Sequence, residues 1–340
     1  MLICLIIILV LIFALPLIIK PIEQNLEIFL FVMGLLAAVT SGILNLPFIA
    51  GVFENKFMYF IVLAVFIGGC LFKASAGHVK NFINKILKMM PVELFVFLLV
   101  VIVGVLSSVI TAIVAALFLA EIVNLLPLAI KAKIRVTIIA CFSIGIGAVL
   151  TPIGEPLSTI VVSRLGVDFW YMFRELGCLV IPGIVMFGLI GAYFARNKNH
   201  SFKGVNIILE REGYKEIIIR SLKIFLFIIS LEFLGASFKP IIDAYVIELN
   251  SKCLFWLNMS SAILDNATLA SAEISVEMTH EQITAILIGL LVSGGMMIPG
   301  NIPNIISAGK LKIKSREWIE LGVPLGMIAM VVYFLLIFYL

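Results

Sequence analysis

The sequence predicts an all-α polytopic membrane protein with an inverted repeat, two re-entrant helical hairpins and two broken transmembrane helices. Hydrophobic residues make up 63% of the 340 residues, charged residues make up 13%, and the mean hydropathy is +1.23. This composition excludes a soluble domain. Two further observations carry the prediction: a pair of matching proline-glycine motifs, and a set of basic clusters whose spacing constrains the membrane crossings.

The matching motifs are Thr-Pro-Ile-Gly-Glu-Pro at 151–156 and Ile-Pro-Gly-Asn-Ile-Pro at 298–303. Each follows a glycine-rich apolar segment. Because proline lacks an amide N–H and interrupts the hydrogen bonds of a helix, we expect unwound backbone at membrane depth in both places. A matched pair of interrupted helices is typical of the binding site of a secondary transporter.

A complete crossing of the bilayer needs about 20 apolar residues. The predicted full spans are 2–19, 26–50, 57–72, 134–164, 177–195, 217–238, 281–309 and 321–340, of which 134–164 and 281–309 are interrupted. Two longer stretches, 92–127 and 241–278, have polar residues at their centres. We interpret both as re-entrant hairpins whose tips meet inside the protein.

The basic clusters lie at 73–88, 131–135, 196–223 and 310–316. The positive-inside rule favours a cytoplasmic position for such clusters. All four clusters obey it only if both long stretches enter and leave the membrane on one side. We therefore expect a plasma-membrane protein with both termini extracytoplasmic.

This topology divides the chain into N-terminal scaffold helices (1–56), a first repeat (57–195), a cytoplasmic loop (196–216) and a second repeat (217–340). Each repeat contains a span, a hairpin, a broken helix and a span, and the second runs through the membrane in the opposite direction. Two local matches favour the pairing. Phe-Arg-Glu-Leu-Gly at 173–177 matches Trp-Ile-Glu-Leu-Gly at 318–322, and Ala-Glu-Ile at 120–122 matches Ala-Glu-Ile at 272–274.

Asp265 and Asn266 lie at the predicted tip of the second hairpin, within an apolar sequence. A carboxylate in the bilayer centre costs about 2.5–3.5 kcal/mol on insertion scales, so we expect it to have a partner or a function. A short carboxylate beside unwound carbonyl groups suits a hard cation such as Na⁺, and it can bind a proton instead.

The breaks themselves offer further ligands. Glu155 could cap the helix that follows it, because a carboxylate stabilises the free N–H groups of a helix N-terminus, or it could bind a cation together with Thr151 and Ser158. In the second break Asn301, with Asn304 one turn later, is either a ligand or a group that satisfies free backbone atoms.

Three other acidic residues lie in apolar segments. Glu232, inside the span 217–238, is either a second proton carrier or a structural hydrogen-bond partner between helices. Glu121 and Glu273 lie nearer the mouths of the two hairpins, and we expect interfacial or packing roles for them.

Motifs of nucleotide-dependent and hydrolytic enzymes are absent from the sequence: there is no P-loop, no GxGxxG after a strand, no HExxH and no GxSxG. We expect no enzymatic activity, no cofactor and no nucleic-acid partner. The expected partners are the lipid bilayer, a small cation and the proton, with transport driven by an ion gradient.

These segments resemble the ion-transporter superfamily, which contains the D-type sodium/proton antiporters, the arsenite permeases and the sodium-coupled dicarboxylate and citrate carriers. The resemblance covers residues 57–340 and is sharpest in Ser-Ala-Ile-Leu-Asp-Asn-Ala-Thr at 261–268, Thr-Pro-Ile-Gly and Pro-Gly-Asn-Ile-Pro-Asn. It implies that the hairpin tips and broken helices move like an elevator against a scaffold, usually in a homodimer. The residues that it implicates are Asp265, Asn266, Thr268, Thr151, Glu155, Asn301 and Asn304.

We add Ser261, Ser158 and Thr111 to these expected ion-binding residues. Thr111 ends the polar centre of the first hairpin, where many members of that superfamily carry an Asn-Thr pair. The chain is also shorter than the usual member of the superfamily.

Two functions remain open at this point. The first is a cation/proton antiporter, with Na⁺ as the expected cation, in which Asp265 and Glu155 hold the metal ion. Buried carboxylates without a nearby intramembrane Lys or Arg favour a cation. The alternative is a sodium-coupled symporter of a small organic or inorganic anion, in which Asp265 serves only Na⁺. Helix N-termini near Pro156 and Pro303 would then hold the anion.

Overall fold

The structure is a computed structural model that describes residues 2–23, 25–54, 56, 58–59, 62–63, 66–67, 70, 73–74, 90–196, 213–245, 249–263 and 266–340. Within these ranges every regular element is a helix, as predicted. Among the described residues, three helices, 92–110, 171–195 and 315–338, are long and apolar enough to cross a membrane, as expected of a membrane-embedded protein. The predicted span 57–72 and the loop 196–216 fall largely outside the described ranges.

We number the helices of the described ranges in the order in which they occur along the chain. They are α1 (Leu2–Ile18), α2 (Lys20–Glu23), α3 (Leu26–Ser41), α4 (Leu46–Glu54), α5 (Val92–Ile110), α6 (Ala112–Leu125), α7 (Ile130–Ala148), α8 (Pro156–Leu165), α9 (Tyr171–Ala195), α10 (Tyr214–Tyr245), α11 (Ser251–Leu257), α12 (Asn266–Glu273), α13 (His280–Gly294), α14 (Ile302–Leu311) and α15 (Ser315–Phe338), with 3-10 turns at Asn258–Ala262 and Ile298–Gly300.

The predicted single span 26–50 is wrong, because two helices occupy it. α3 ends at Gly42, whose φ of 74° is a left-handed conformation that glycine adopts at little cost. The Asn45 side chain then accepts a hydrogen bond from the N–H of Phe48 at 2.9 Å, which starts α4. α3 packs along α10, where a Cβ on Gly34 would lie only 2.9 Å from the carbonyl oxygen of Ser230.

In the first half, α5 and α7 run side by side in the same direction. The Ser143 hydroxyl donates to the carbonyl of Val100 at 3.0 Å. Eight residues further along the chain in each case, just past the end of α7, the Thr151 hydroxyl donates to the carbonyl of Ser108 in α5. α9 packs against both of them, so α5, α7 and α9 form a three-helix bundle.

The next helix, α6, returns towards the start of α7. Its first N–H, from Ala112, donates to the carbonyl of Gly154 at 2.7 Å. Near its other end, the carbonyl of Asn124 accepts a hydrogen bond from Lys133 Nζ at 2.6 Å. α5 and α6 therefore form a helical hairpin with its tip at Thr111.

In the second half, α11 and its 3-10 turn run beside α13 in the same direction. The carbonyl of Leu249 accepts from Gln282 Nε2 at 3.0 Å, and the carbonyl of Asn258 accepts from the Ser293 hydroxyl at 2.8 Å. α12 then returns, because Asn258 Nδ2 donates to Glu273 Oε2 at 2.7 Å. This is the same arrangement as in the first half.

The predicted start of this second hairpin, at 241, is too early. α10 continues through Pro240 as one helix of 32 residues and ends at Tyr245. The hairpin begins at Asn250, whose side chain accepts a hydrogen bond from the N–H of Lys252 at 2.9 Å and so caps α11.

The two halves are joined where the returning arm of each hairpin lies against the second part of the opposite broken helix. α6 packs against α14, and Lys310 Nζ forms an ion pair with Glu121 Oε1 at 3.1 Å. α12 packs against α8, and Arg164 Nη1 donates to the carbonyl of Ile274 at 2.9 Å. This crossed packing brings the starts of α6, α8, α12 and α14 together in the protein interior.

Candidate functional site: the cavity between the tips and the breaks

An internal cavity lies where these four helices begin. Its open volume is about 20 Å³, which is room for about one water or one small ion. Both hairpins and both breaks contribute to its wall, through Thr111, Ala112, Ile113, Ile153, Gly154, Glu155, Pro156, Asn266, Asn301 and Ile302. Four residues predicted from the sequence are therefore brought together: Thr111, Glu155, Asn266 and Asn301.

The first hairpin tip is held in a strained conformation. Thr111 is buried and has φ 74° and ψ 148°, a region that a β-branched residue rarely enters. Such conformations cost about 1–3 kcal/mol and cluster at binding sites. The Thr111 hydroxyl accepts from the N–H of Val114 at 3.3 Å, and the neighbouring N–H of Ala112 is bound to Gly154. The tip is thereby fixed against the first break.

Glu155 is the acidic residue in the wall of the cavity. It is only 4% exposed and has extended backbone, with φ −155° and ψ 160°. Its carboxylate accepts no hydrogen bond from the N–H groups of α8, the helix that it precedes, so the capping interpretation is not supported. Its Oε2 instead accepts from Asn266 Nδ2 at 3.4 Å, which places the second hairpin next to the first break.

Asn301 occupies the equivalent position in the second break. Its backbone is extended in the same way, with φ −154° and ψ 145°, and its side chain does not cap α14. The amide points across to the first half of the chain, because a Cβ on Gly145 of α7 would lie 2.8 Å from Asn301 Nδ2. Gly145 therefore makes room for this amide beside the cavity.

The neutral oxygens predicted around Glu155 have a structural role. The hydroxyl of Thr151 is bound to the carbonyl of Ser108, and the hydroxyl of Ser158 donates to the carbonyl of Val149 at 3.0 Å. Both side chains are buried, and neither lines the cavity. They satisfy carbonyl groups that the broken helix and the end of α5 leave free.

The second break and the hairpin tip beside it contain buried acceptor atoms that lack a donor among the described residues. Asn304 Nδ2 donates to the carbonyls of Gly294 and Met297, both at 2.8 Å. Asn304 Oδ1 and Ser261 Oγ are buried and have no hydrogen-bond partner among the described residues. A Cβ on Gly294 would lie 3.3 Å from Ser261 Oγ, so the Asn304 and Ser261 side chains both lie beside Gly294. Buried acceptors in this state need a donor or a cation.

Three predicted residues are not placed at the cavity. Asp265 lies outside the described residues, and so does the side chain of Thr268, whose backbone belongs to α12. The pairing of Asp265 with Glu155 therefore stays a prediction. Glu232 is in the middle of α10, partly exposed, and does not line the cavity.

The helix starts give the cavity a positive electrostatic potential. Each helix N-terminus carries roughly half a positive charge, and four of them meet here. Proline at the first position of α8, Pro156, and at the second position of α14, Pro303, removes N–H groups that would otherwise point at a ligand. A carboxylate is stabilised at this point, whereas the donors for an oxyanion are reduced.

One buried polar pair lies in the second hairpin outside the wall of the cavity. Glu273 is 6% exposed, which fits the packing role that was one of the two expected for it, and its partner Asn258, which was not among the predicted residues, is fully buried. The signal in the sequence was Asn258 itself, a polar residue within the apolar run Leu-Phe-Trp-Leu-Asn-Met at 254–259.

Comparison with known proteins gives this architecture a family but no activity. No curated protein matches the chain. The sequence profile described as Protein of unknown function (DUF1646) matches residues 2–340. The chain therefore belongs to the DUF1646 family.

Proposed function

We propose that the protein is a secondary active transporter that exchanges a small cation, Na⁺, for protons across the membrane. The observation that carries the proposal is the buried carboxylate of Glu155 in a cavity with room for about one small ion. A carboxylate binds either a metal ion or a proton. Competition between the two for one group therefore produces exchange when the site faces each side of the membrane in turn.

The ligands near Glu155 suit a hard monovalent cation. The amide groups of Asn266 and Asn301 share the wall of the cavity with it, and the breaks leave carbonyl oxygens outside regular helix. Oxygen ligands of this kind bind Na⁺ in transporters with interrupted helices. We propose Asp265, the residue before Asn266, as the second carboxylate.

The four helix starts explain how proton binding would release the cation. Their positive ends are balanced by carboxylate charge at the same point. When a proton binds to a carboxylate, that negative charge is lost and the local field becomes unfavourable for a metal ion. Proton and cation would therefore exclude each other even if they occupied different oxygen atoms.

We also propose that the fold is an inverted repeat with re-entrant hairpins, and the two broken helices support this. α8 and α14 each contain ten residues and each follows an extended residue, Glu155 or Asn301. Each is followed by a residue in the left-handed conformation, Gly166 with φ 63° or Lys312 with φ 55°. The hairpins pair with α7 and α13 in the same directions in both halves.

The loops after these helices differ in a way that supports opposite orientation. The loop after α8 contains Asp168 and Trp170, whereas the loop after α14 contains Lys312 and Lys314. Under the positive-inside rule the second loop is cytoplasmic. We therefore place the protein in the plasma membrane with both termini extracytoplasmic. The resemblance to the ion-transporter superfamily adds elevator movement and a homodimer to the proposal.

A second candidate is the sodium-coupled symport of a small anion. The convergence of four helix N-termini favours it, because anions bind at such positions. The cavity argues against an organic anion, since its open volume of about 20 Å³ is far below that of a dicarboxylate site. Pro156 and Pro303 also lack the N–H groups that would bind an anion at these helix starts, which likewise argues against symport of an anion.

Proteoliposomes with an internal pH dye separate the two functions. We expect a pulse of Na⁺ or Li⁺ to move protons with no organic anion present, and a choline pulse to move none. Sodium-dependent uptake of an anion without any proton movement would replace antiport by symport.

Asp265→Asn tests the second carboxylate. We expect this variant to insert and to remain monodisperse but to lose exchange, because the amide cannot lose a proton. Glu277→Gln is the control, since Glu277 is exposed and lies away from the cavity. Full exchange by Asp265→Asn would remove this residue from the mechanism.

A further inference from the structure

A second buried carboxyl group lies in the second hairpin. Glu273 Oε2 accepts from Asn258 Nδ2 at 2.7 Å, and the same amide donates to the carbonyl of Leu254 at 2.9 Å. Asn258 Oδ1 is buried and has no hydrogen-bond partner among the described residues. If the carboxyl group of Glu273 bound a proton, its O–H would be a donor next to this free acceptor of Asn258.

The equivalent position in the first hairpin is neutralised by a cation. Glu121, in the matching Ala-Glu-Ile sequence, forms the ion pair with Lys310 of α14. In the second hairpin the matching cation, Arg164 of α8, donates to the backbone carbonyl of Ile274. The ion pairs among the described residues do not include Glu273. An unpaired buried carboxylate is costly, and such a group takes up a proton instead.

The position of Glu273 suits a group that binds a proton on its way between the cavity and one face of the protein. It follows Asn266 by seven residues in α12, which corresponds to about 10 Å along a helix. Asn258 contacts α13 near Gly289, nine residues after the first residue of that helix, or about 13 Å along it. Glu273 therefore lies inside the protein, outside the wall of the cavity.

The helices that pack against α12 carry other titratable groups. Among them are Arg164 on α8, Glu232 and Lys239 on α10, and His280 and Glu281 at the start of α13. Lys239, His280 and Glu281 are exposed, Glu232 is partly exposed, and Arg164 binds the carbonyl of Ile274. Glu273 is the fully enclosed group in this set.

We propose that Glu273, held by Asn258, is a proton-binding site separate from the cavity, which loads and unloads a proton during the exchange proposed above. Protonation converts the carboxylate into a neutral acid with one O–H donor. A rotation of the Asn258 amide then presents Oδ1 to that donor. At the matching position of the first hairpin, Glu121 is instead paired with the cation of Lys310.

Infrared spectroscopy of the purified full-length protein tests this assignment directly. In a pH titration we expect the C=O stretch of a protonated carboxylic acid in the wild type, and loss of that component in Glu273→Gln. Glu121→Gln is the matched control and should leave the component unchanged. In proteoliposomes, we expect the pH of half-maximal exchange to move by about one unit or more in Glu273→Gln only, a tenfold change in proton affinity.

The outcomes separate this site from the proposed function. A wild type that moves no protons in response to Na⁺ or Li⁺ would contradict the exchange activity. Wild-type exchange together with an unaltered infrared component and an unaltered pH profile in Glu273→Gln would overturn only the assignment of Glu273. If Glu273→Gln does not fold, Asn258→Asp is the second variant. A carboxylate beside Glu273 should shift the same infrared component of the titration to a different pH. An unchanged titration would again overturn the assignment.

Discussion

The two broken helices share a backbone and differ in chemistry. Each resumes as a ten-residue helix after one extended, buried residue, and each ends in a left-handed residue. At the extended position the first break carries the carboxylate of Glu155, and the second carries the amide of Asn301. The fold therefore builds the same kind of interruption twice, but it places a protonatable group in the wall of the cavity at the first break.

The same asymmetry recurs in the returning arms of the hairpins. Glu121 is paired with Lys310, whereas Glu273 is paired with the amide of Asn258. A carboxylate held by a fixed cation keeps its charge, and one held by an amide is free to gain a proton. Protonatable carboxyl groups are thus found in one break and in the opposite hairpin, which face each other through α8 and α12.

The largest effect is expected from filling the space at the breaks. In Gly154→Ala the new Cβ would overlap the carbonyl oxygen of Ala148, and in Gly300→Ala it would lie 2.5 Å from the carbonyl oxygen of Ser261. Because both neighbours are backbone atoms, we expect a loss of about 1–3 kcal/mol or more of stability in each variant.

Gly309→Ala, in α14, is the control for this test, since no atom lies within 4 Å of its new Cβ. Thermal unfolding in detergent should show two destabilised variants and one that is as stable as the wild type. Equal stability of Gly154→Ala and Gly309→Ala would contradict the close packing of the first break.

The next effect concerns the charge at the two breaks. In Glu155→Gln we expect Na⁺ or Li⁺ to bind about 10- to 150-fold more weakly, because an interaction with a charged group contributes about 1.5–3 kcal/mol. Asn301→Asp should keep cation binding, since it adds a carboxylate to the same wall. Titration calorimetry of the purified variants measures both. An unchanged affinity in Glu155→Gln would show that the carboxylate is not a ligand.

A smaller effect is expected at the ion pair of the first hairpin. Lys310→Met removes the partner of Glu121, and because the lysine side chain is 30% exposed we expect a loss of about 1 kcal/mol at most. The loss should shrink in high salt. Arg316→Met is the control, because its pair with Glu320 is almost fully exposed and should contribute nothing measurable. A large loss in both variants would indicate that the surface charge as a whole, not this pair, sets the stability.

The smallest effect is expected in the loop after α8. A side-chain hydrogen bond from Arg174 lowers the pKa of the exposed Asp168 carboxyl. Its contribution to folding is therefore present above the ordinary pKa of about 3.9 and is lost as the pH falls through the lower, folded-state value. Asp168→Asn should lower the unfolding temperature slightly at pH 7 and less at acidic pH. A difference that grows on acidification would have the wrong sign.

Much of the helical framework could be predicted from local sequence. The prolines around Gly154 and Gly300 predicted both breaks, and the polar centre at 107–111 predicted the first turn. The errors came where local signals compete. Gly42 divides a stretch that hydropathy alone reads as one span, and Pro240 does not end α10, because proline at the end of a packed helix costs only one hydrogen bond.

The site was less accessible to sequence reasoning, because it depends on crossed packing between the halves. No local pattern places Asn266 against Glu155, or the Asn301 amide against Gly145. Thr151 and Ser158 carry hydroxyl groups that could bind a cation, but in the structure these hydroxyls donate hydrogen bonds to the carbonyl groups of Ser108 and Val149. The burial of Glu273 likewise depends on α11 and α12 closing around it.

Proton release on cation binding is the most direct test of the central claim, that a metal ion and a proton compete for the carboxyl groups at the cavity. Purified protein in weakly buffered detergent solution would be mixed with Na⁺ or Li⁺ while the pH is followed. The wild type should acidify the solution, and Glu155→Gln should release fewer protons, with choline as the salt control. Cation binding without proton release, or equal release by the wild type and Glu155→Gln, would contradict the claim.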